Sequence, residues 1–316
     1  MLDGRWCLTL LVALGAAVDG AIPHEGLEDH GHLACIQNQH VHVDIEVDGR
    51  LHQFVPTWEV AATAEASIFC GTKRIPGSQC GPLVAKRAQN KLEGIDALAT
   101  YLHCRGHSMF EGHTSLFPTS ERILRSLVSE STTIRRAMQI GFNAGHSAMT
   151  LLSANSEMHL TSFDLVEHAY VSKAAAFVDA AFPGRHVLIA GDSTVTIPAY
   201  VTDEPFDFIF VDGGHSLEVA TADLANCLRL ARAGTIVVMD DVVGTPNSTW
   251  TYGPTVAWNQ AIGAGAVVEL GRVNLRRDLP SPTWVQGRDP AWASAGIDGQ
   301  AFGMFTGHIQ ALTTSL

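Results

Sequence analysis

Basic residues are scarce in this chain. Twenty Lys and Arg stand against 32 Asp and Glu, a net charge of −12 over 316 residues. Phosphate backbones are gripped by clustered Lys and Arg, and no basic run with interleaved aromatics exists, so the composition argues against a nucleic-acid partner. Charged residues of both signs make up only 16%, against 46% hydrophobic, which excludes a disordered chain. No Cys-x-x-Cys pair is present, which argues against a structural zinc site. Internal repeats and low-complexity tracts are also lacking. Fifteen His residues are scattered, many of them near the N-terminus, and read as solvated surface.

No long apolar segment spans a bilayer. The run from Trp6 to Val18 is too short, but Arg5 before it and the small residues Gly20 and Ala21 after it give a signal-like segment over 1–21. A buried N-terminal helix is the alternative. A signal would place the chain in the secretory pathway or outside the cell; without one it is cytoplasmic. Cys35, Cys70, Cys80 and Cys104 precede the main repeat of strands and helices and suit two disulfides, with three connectivities open. Cys227 lies with Leu224, Leu228 and Ala231 on one helical face and reads as an inert core thiol.

The chain divides by pattern. A polar leader covers 22–34, and residues 35–108 form a small cysteine-containing α+β module. That module opens with alternating strands near 41–47 and 51–55 around Asp48 and Gly49. From residue 109 onward, after a helix over 121–129, strands near 137–141, 158–163, 186–190, 206–211 and 235–239 alternate with helices near 146–154, 169–182, 194–200 and 216–232. Gly234 is placed to stop the last of these helices. This rhythm predicts an α/β fold with a doubly wound, Rossmann-like, mostly parallel sheet. A further helix over 253–262 and strands near 266–270 and 302–306 close it around an irregular insert at 272–301.

Each strand ends in a polar signature. The first runs into Gly141, Asn143, Gly145, His146 and Ser147, where glycines admit a ligand close to the backbone and the next helix offers unpaired N–H groups. Asp164 ends the second strand, about 20 residues on, where a carboxylate can take two ribose hydroxyls. Asp192 and Ser193 end the third, within reach of an adenine edge. Taken singly, each Asp would read as a helix N-cap. Asp212 follows the fourth strand, and Asp240 and Asp241 follow the fifth. Three carboxylates at one sheet edge suit a hard cation such as Mg²⁺, with a loop cap by Asp240 and Asp241 and no metal as the alternative.

In this ordered set the chain resembles the class I S-adenosylmethionine-dependent methyltransferases. The carrying motifs are Ile140 to Ser147, Ser162 to Asp164, Gly191 to Ser193, Phe206 to His215 and Val238 to Asp241. The resemblance is to the branch of catechol O-methyltransferase and the macrolide and aminocoumarin sugar O-methyltransferases, and it covers roughly residues 117–270. It implies that Gly141, Asn143, Gly145, His146 and Ser147 cradle the methionine part of S-adenosyl-L-methionine, Asp164 its ribose, and Asp192 with Ser193 its adenine. It also implies a divalent cation on Asp212, Asp240 and Asp241, and a small-molecule or sugar hydroxyl as acceptor.

His215 stands where catechol-type relatives carry a lysine base. It is the candidate proton acceptor beside the catalytic Asp212, with a helix cap or support of a metal ligand as its other readings. Trp250, Tyr252 and Trp258 are candidates for an acceptor wall or for packing. Two rival functions stand beside this one: a nicotinamide-dependent oxidoreductase, and a secreted non-catalytic domain that keeps the fold. The oligomeric state is open.

Overall fold

The structure is a computed structural model that describes residues 43–47, 50–54, 62–73, 75, 80–82, 84, 95–107, 110, 118–129, 133–246, 248–275 and 298–307. The signal-like segment, the polar leader, Cys35 and residues 276–297 lie outside the described residues. In chain order the elements are β1 (Val43–Val47), β2 (Arg50–Phe54), α1 (Ala62–Thr72), α2 (Ile95–Cys104), α3 (Pro118–Ser129), β3 (Arg136–Ile140), α4 (His146–Ala154), β4 (His159–Asp164) and α5 (Val171–Ala181). They continue with β5 (His186–Ala190), α6 (Ser193–Ala199), β6 (Phe206–Val211), α7 (Leu217–Leu230), β7 (Ala231–Asp240), α8 (Thr249–Gly263), β8 (Val267–Leu275) and β9 (Asp298–Phe305). No helix among the described residues is long and apolar enough to cross a membrane.

The main sheet has seven strands in the order β5-β4-β3-β6-β7-β9-β8. The first five are parallel, and β9 runs antiparallel to both β7 and β8. Central strands need cover on both faces, which explains why β6 carries Phe208, Ile209, Phe210 and Val211 as one continuous buried run. One face, with Ala137, Leu160, Phe208 and Phe210, packs on α2 to α5. The other, with Met138, Ile140, Phe163, Ile209 and Val211, packs on α6 to α8.

The N-terminal hairpin pairs β1 with β2, Val43 opposite Phe54. Phe54, Leu98 and Leu102 belong to the same buried cluster as Phe177 of α5, and the Tyr101 ring lies 4.9 Å from that of Phe177. Apolar packing therefore runs without a break from this module into the sheet. Cys70 and Cys80 form a disulfide, and Cys227 is a buried free thiol.

Boundaries of α7, α8, β8 and β9 differ from the sequence reading, each for a tertiary reason. α7 stops at Leu230, four residues before Gly234. The Thr235 hydroxyl accepts from Arg232 N at 3.0 Å and donates to Phe206 O at 2.7 Å, which draws the chain into β7 early, and Gly234 supplies the left-handed turn (φ 86°). α8 begins at Thr249, because Ser248 caps it by accepting from Thr251 N. β8 extends to Leu275 and β9 starts at Asp298, so both ends of the stretch read as an irregular insert are paired strand.

Chain order places the crevice. From β3 the chain winds outward through β4 and β5, then crosses back by α6 to β6 on the other side of β3. Loops leaving β3 and β6 therefore diverge at the carboxyl edge, the place where open α/β sheets bind ligands.

Candidate functional site

The glycine turn after β3 is built against β6. Gly141 has φ 84°, and a Cβ there would lie 1.8 Å from the Asp212 carbonyl oxygen, so no other residue fits. Gly141 N donates to Phe163 O at 2.8 Å and Asp212 N donates to Ile140 O at 3.0 Å, which ties the ends of β3, β4 and β6 into one rim. Gly145 (φ 79°) caps α4, and a Cβ there would meet the buried Phe142 ring at 2.9 Å. The turn is thus a shelf held by close backbone packing at the carboxyl edge.

Asp164 organises that shelf. Its Oδ2 accepts from Phe142 N and Asn143 N, both at 2.8 Å, and its Oδ1 accepts from Val166 N at 2.7 Å. Both lone pairs of Oδ2 are then in use, and Oδ1 keeps one for a further donor such as a ribose hydroxyl. Asn143 holds a left-handed conformation (φ 49°), and its Oδ1 accepts from the Tyr170 hydroxyl at 2.7 Å. His146 is buried with its ring 5.8 Å from Phe110. Ser147 is buried and donates to Gln139 Oε1 at 3.0 Å.

Asp192 is exposed and caps α6, accepting from Thr194 N at 2.8 Å and from the Thr194 hydroxyl at 2.7 Å. Those two hydrogen bonds hold its carboxyl below the ordinary value. Ser193 opens α6. Its hydroxyl lies near Asp223, a carboxylate on α7 that the sequence marks only as one more polar residue in a helix. Asp223 is fully buried, and neither oxygen has a hydrogen-bond partner of good geometry among the described residues.

Burial pushes the Asp223 carboxyl up to about 6; the nearby Asp192 charge adds to the rise and Ser193 offsets part of it. Because the folded value lies above the unfolded one, the fold is unpenalised below pH ~4. Stability is then lost as pH rises through about 6. At neutral pH the cost reaches about 3 kcal/mol at most. Asp223→Asn is therefore expected to gain thermal stability over the parent chain at pH 7.5 and to lose most of that advantage by pH 4.5. An advantage that stays constant with pH in melting curves would contradict the burial argument.

Beyond β6 and β7, three side chains meet. Ligand-type atoms of Asp212, His215 and Asp241 all lie within 4.8 Å of one another. His215 Nε2 is 2.9 Å from Asp241 Oδ2, with His215 half-exposed and Asp241 largely covered. Asp240 takes a different course: its Oδ1 accepts from Gln300 Nε2 at 3.4 Å, and Gln300 also donates to Ser120 Oγ at 3.0 Å. The structure thus groups Asp212 and Asp241 with His215, while Asp240 is tied to β9 and α3.

Close backbone approach makes this grouping possible. Gly213 leaves room for Asp223, since a Cβ there would lie 2.7 Å from Asp223 Oδ2, and Gly214 leaves room for Val219. Gly253, inside α8, lies so near the His215 turn that a Cβ would come within 2.2 Å of His215 O. In the sequence Gly253 opens the expected helix over 253–262, where a glycine needs no packing reason, and only the start of α8 at Thr249 places it inside the helix. Ser216 caps α7 by accepting from Val219 N at 3.1 Å, so the capping role falls to Ser216 and not to His215. Of the three aromatics beyond β7, Trp258 is core, donating to Glu269 at 2.6 Å, and Tyr252 is exposed.

Comparisons with known proteins agree with this geometry. Residues 138–242 match the sequence profile of a family described as "Methyltransferase domain". No curated protein matches the chain. Among solved structures, the O-methyltransferase TomG from Streptomyces achromogenes, involved in tomaymycin synthesis and in complex with SAM, superposes with TM-score 0.51 at 18% identity, covering 67% of this chain and 89% of its own. An O-methyltransferase from Bacillus cereus in complex with SAH superposes at 0.50 with 18% identity, covering 77% and 98%. A putative O-methyltransferase from Klebsiella pneumoniae does so at 0.50 with 17% identity, covering 78% and 97%. With the ordered strand-end motifs on one rim, this chain carries a methyltransferase domain over residues 138–242 and shares the fold of these O-methyltransferase structures.

Proposed function

We propose that this chain transfers the methyl group of S-adenosylmethionine to the oxygen of a small-molecule or sugar hydroxyl, with a divalent cation beside the acceptor. The observation that carries the proposal is the meeting of Asp212, His215 and Asp241 on the rim that also holds the glycine turn, where Gly141 lies against the Asp212 carbonyl. One side of the crevice offers the glycine turn and the remaining Oδ1 lone pair of Asp164 for an adenosyl ligand. The other offers a base and carboxylates for an acceptor.

The roles follow from the atoms. His215 Nε2–H donates to Asp241 Oδ2, which orients the imidazole and places the proton-accepting lone pair on Nδ1. In an in-line displacement the acceptor oxygen bonds the methyl carbon, the carbon–sulfur bond breaks and leaves its electrons on sulfur, and the hydroxyl proton passes to His215 Nδ1. The glycine shelf contributes orientation, the term worth most when two substrates must meet in line. Asp241 stabilises the imidazolium formed.

The carboxylates of Asp212 and Asp241, whose oxygens lie within 4.8 Å of one another, also suit a hard divalent ion such as Mg²⁺, with His215 left to act as the base. When bound there, such an ion would lower the pKa of the acceptor hydroxyl. The secretory reading is likewise a proposal, supported by the Cys70–Cys80 disulfide.

Calorimetry on the full chain tests the assignment against its rivals. S-adenosylhomocysteine is expected to bind and NAD is not. Mg²⁺ or Mn²⁺ is expected to bind the parent chain and to bind Asp241→Ala at least ~10-fold more weakly. Binding of NAD alone would favour the oxidoreductase, and binding of neither nucleotide the non-catalytic domain.

A further inference from the structure

Behind the glycine turn, away from the crevice, a line of buried polar side chains crosses the sheet from α4 to α5. Ser147 Oγ lies 3.0 Å from Gln139 Oε1, Gln139 Nε2 lies 2.9 Å from Ser162 Oγ, Ser162 Oγ lies 2.9 Å from His186 Nε2, and His186 Nδ1 lies 2.7 Å from Asp179 Oδ1. Gln139 and Ser162 are register partners on β3 and β4 and are fully buried. The His186 ring is fully covered, whereas Asp179 is 57% exposed on α5. Four polar residues in an apolar layer are costly unless every bond is made, so their presence calls for a reason.

The direction of the chain is dictated from its surface end. An ionised carboxylate only accepts, so His186 Nδ1 must carry the proton it gives to Asp179. In the neutral ring Nε2 is then bare and accepts from the Ser162 hydroxyl. Ser162, with its hydrogen spent, accepts from the Gln139 amide nitrogen, which leaves the Gln139 oxygen to accept from Ser147. A second proton on the imidazole would aim two donors at Ser162 and strip its hydroxyl hydrogen of an acceptor. One protonation state and one tautomer satisfy the whole line.

His186 also touches the turn by a second route. Its ring stacks on Phe142 at 5.1 Å and 27°, and Phe142 is the buried residue of the turn that fills the space a Cβ on Gly145 would need. Ser147, at the other end of the line, sits in the first turn of α4. The turn from Gly141 to Ser147 is thus gripped at both ends by groups that His186 holds in place.

We propose that His186, fixed by Asp179, is a positioning residue for the glycine turn, setting where that turn meets the methyl donor. The inference rests on the reading that this turn binds S-adenosylmethionine. It differs from it in naming residues far from the crevice that tune donor affinity.

The test is calorimetry of S-adenosylhomocysteine with the full chain, its His186→Phe, Asp179→Ala and Asp179→Glu variants, and thermal unfolding of each without ligand. Nitrogen NMR of labelled histidine reads the His186 tautomer. His186→Phe keeps the stack on Phe142 but breaks the line, and is expected to weaken binding ~5–30-fold. Asp179→Ala, at an exposed position that leaves folding intact, is expected to weaken it at least ~3-fold, and Asp179→Glu to restore it. The NMR signature expected is Nδ1–H with Nε2 unprotonated. Wild-type affinity in Asp179→Ala, with or without a loss of thermal stability, overturns the proposal, as does an Nε2–H tautomer in the parent chain. Failure of the parent chain itself to bind S-adenosylhomocysteine counts against the donor assignment instead.

Discussion

Asp164→Ala loses S-adenosylhomocysteine binding by a factor of at least ~100 in calorimetry, while Asp240→Ala stays within ~3-fold of the parent chain. The expectation follows from what Asp164 does in the fold. Its carboxylate takes the backbone N–H groups of Phe142, Asn143 and Val166, and two of those belong to the glycine turn. Hydrogen bonds to a charged group are worth about 1.5–3 kcal/mol each, and losing two from a turn with Asn143 at φ 49° releases it from a conformation it would not otherwise keep. The remaining Oδ1 lone pair is lost as well. Asp240, by contrast, accepts from Gln300 Nε2 on β9. Equal losses in the two variants would contradict separate roles for the β4 and β7 strand ends.

The second large effect concerns transfer and not binding. His215→Ala is expected to lower turnover ~10²–10⁴-fold, the range for loss of a general base, with S-adenosylhomocysteine affinity unchanged. Turnover is read as release of S-adenosylhomocysteine with an acceptor hydroxyl that the parent chain methylates. Asp241→Asn keeps the shape of the pair at 2.9 Å but removes the charge that stabilises the imidazolium, so a smaller drop in turnover is expected. If His215→Ala turns over like the parent chain, the proton goes elsewhere and the base assignment fails. If it loses donor affinity instead, His215 is acting on the shelf through Asp212 and not on the acceptor.

Much of the fold is legible in the chain because it rests on short-range rules. Apolar runs such as Phe206 to Val211, buried on both faces, mark central parallel strands, and the alternation with helices fixes the class. The α4 and β5 boundaries expected from sequence match the structure. The ends of α7, α8, β8 and β9 do not, because Thr235 on Phe206, Ser248 on Thr251 and the β8–β9 pairing are contacts that periodicity does not register. The crevice is legible in part. Glycines and carboxylates at strand ends announce a rim, but the chain gives no sign that Asp223 is so deeply buried, nor that Gly253 in a distant helix holds the His215 turn. Gln139, Ser162 and His186 look like three ordinary strand residues until β3, β4 and β5 lie side by side.

The amino-acid sequence by itself determined the sheet class and the order of polar strand ends, since each is a property of contiguous residues. Which carboxylates stand together was decided by tertiary structure alone. Asp240 and Asp241 are neighbours in the chain, but successive residues leaving a strand point to opposite sides. Asp240, the last residue of β7, therefore turns toward Gln300, and Asp241, at φ 59°, turns to His215. Adjacency in sequence cannot express that divergence, because the side each carboxylate faces is set by the strands and helices packed around it.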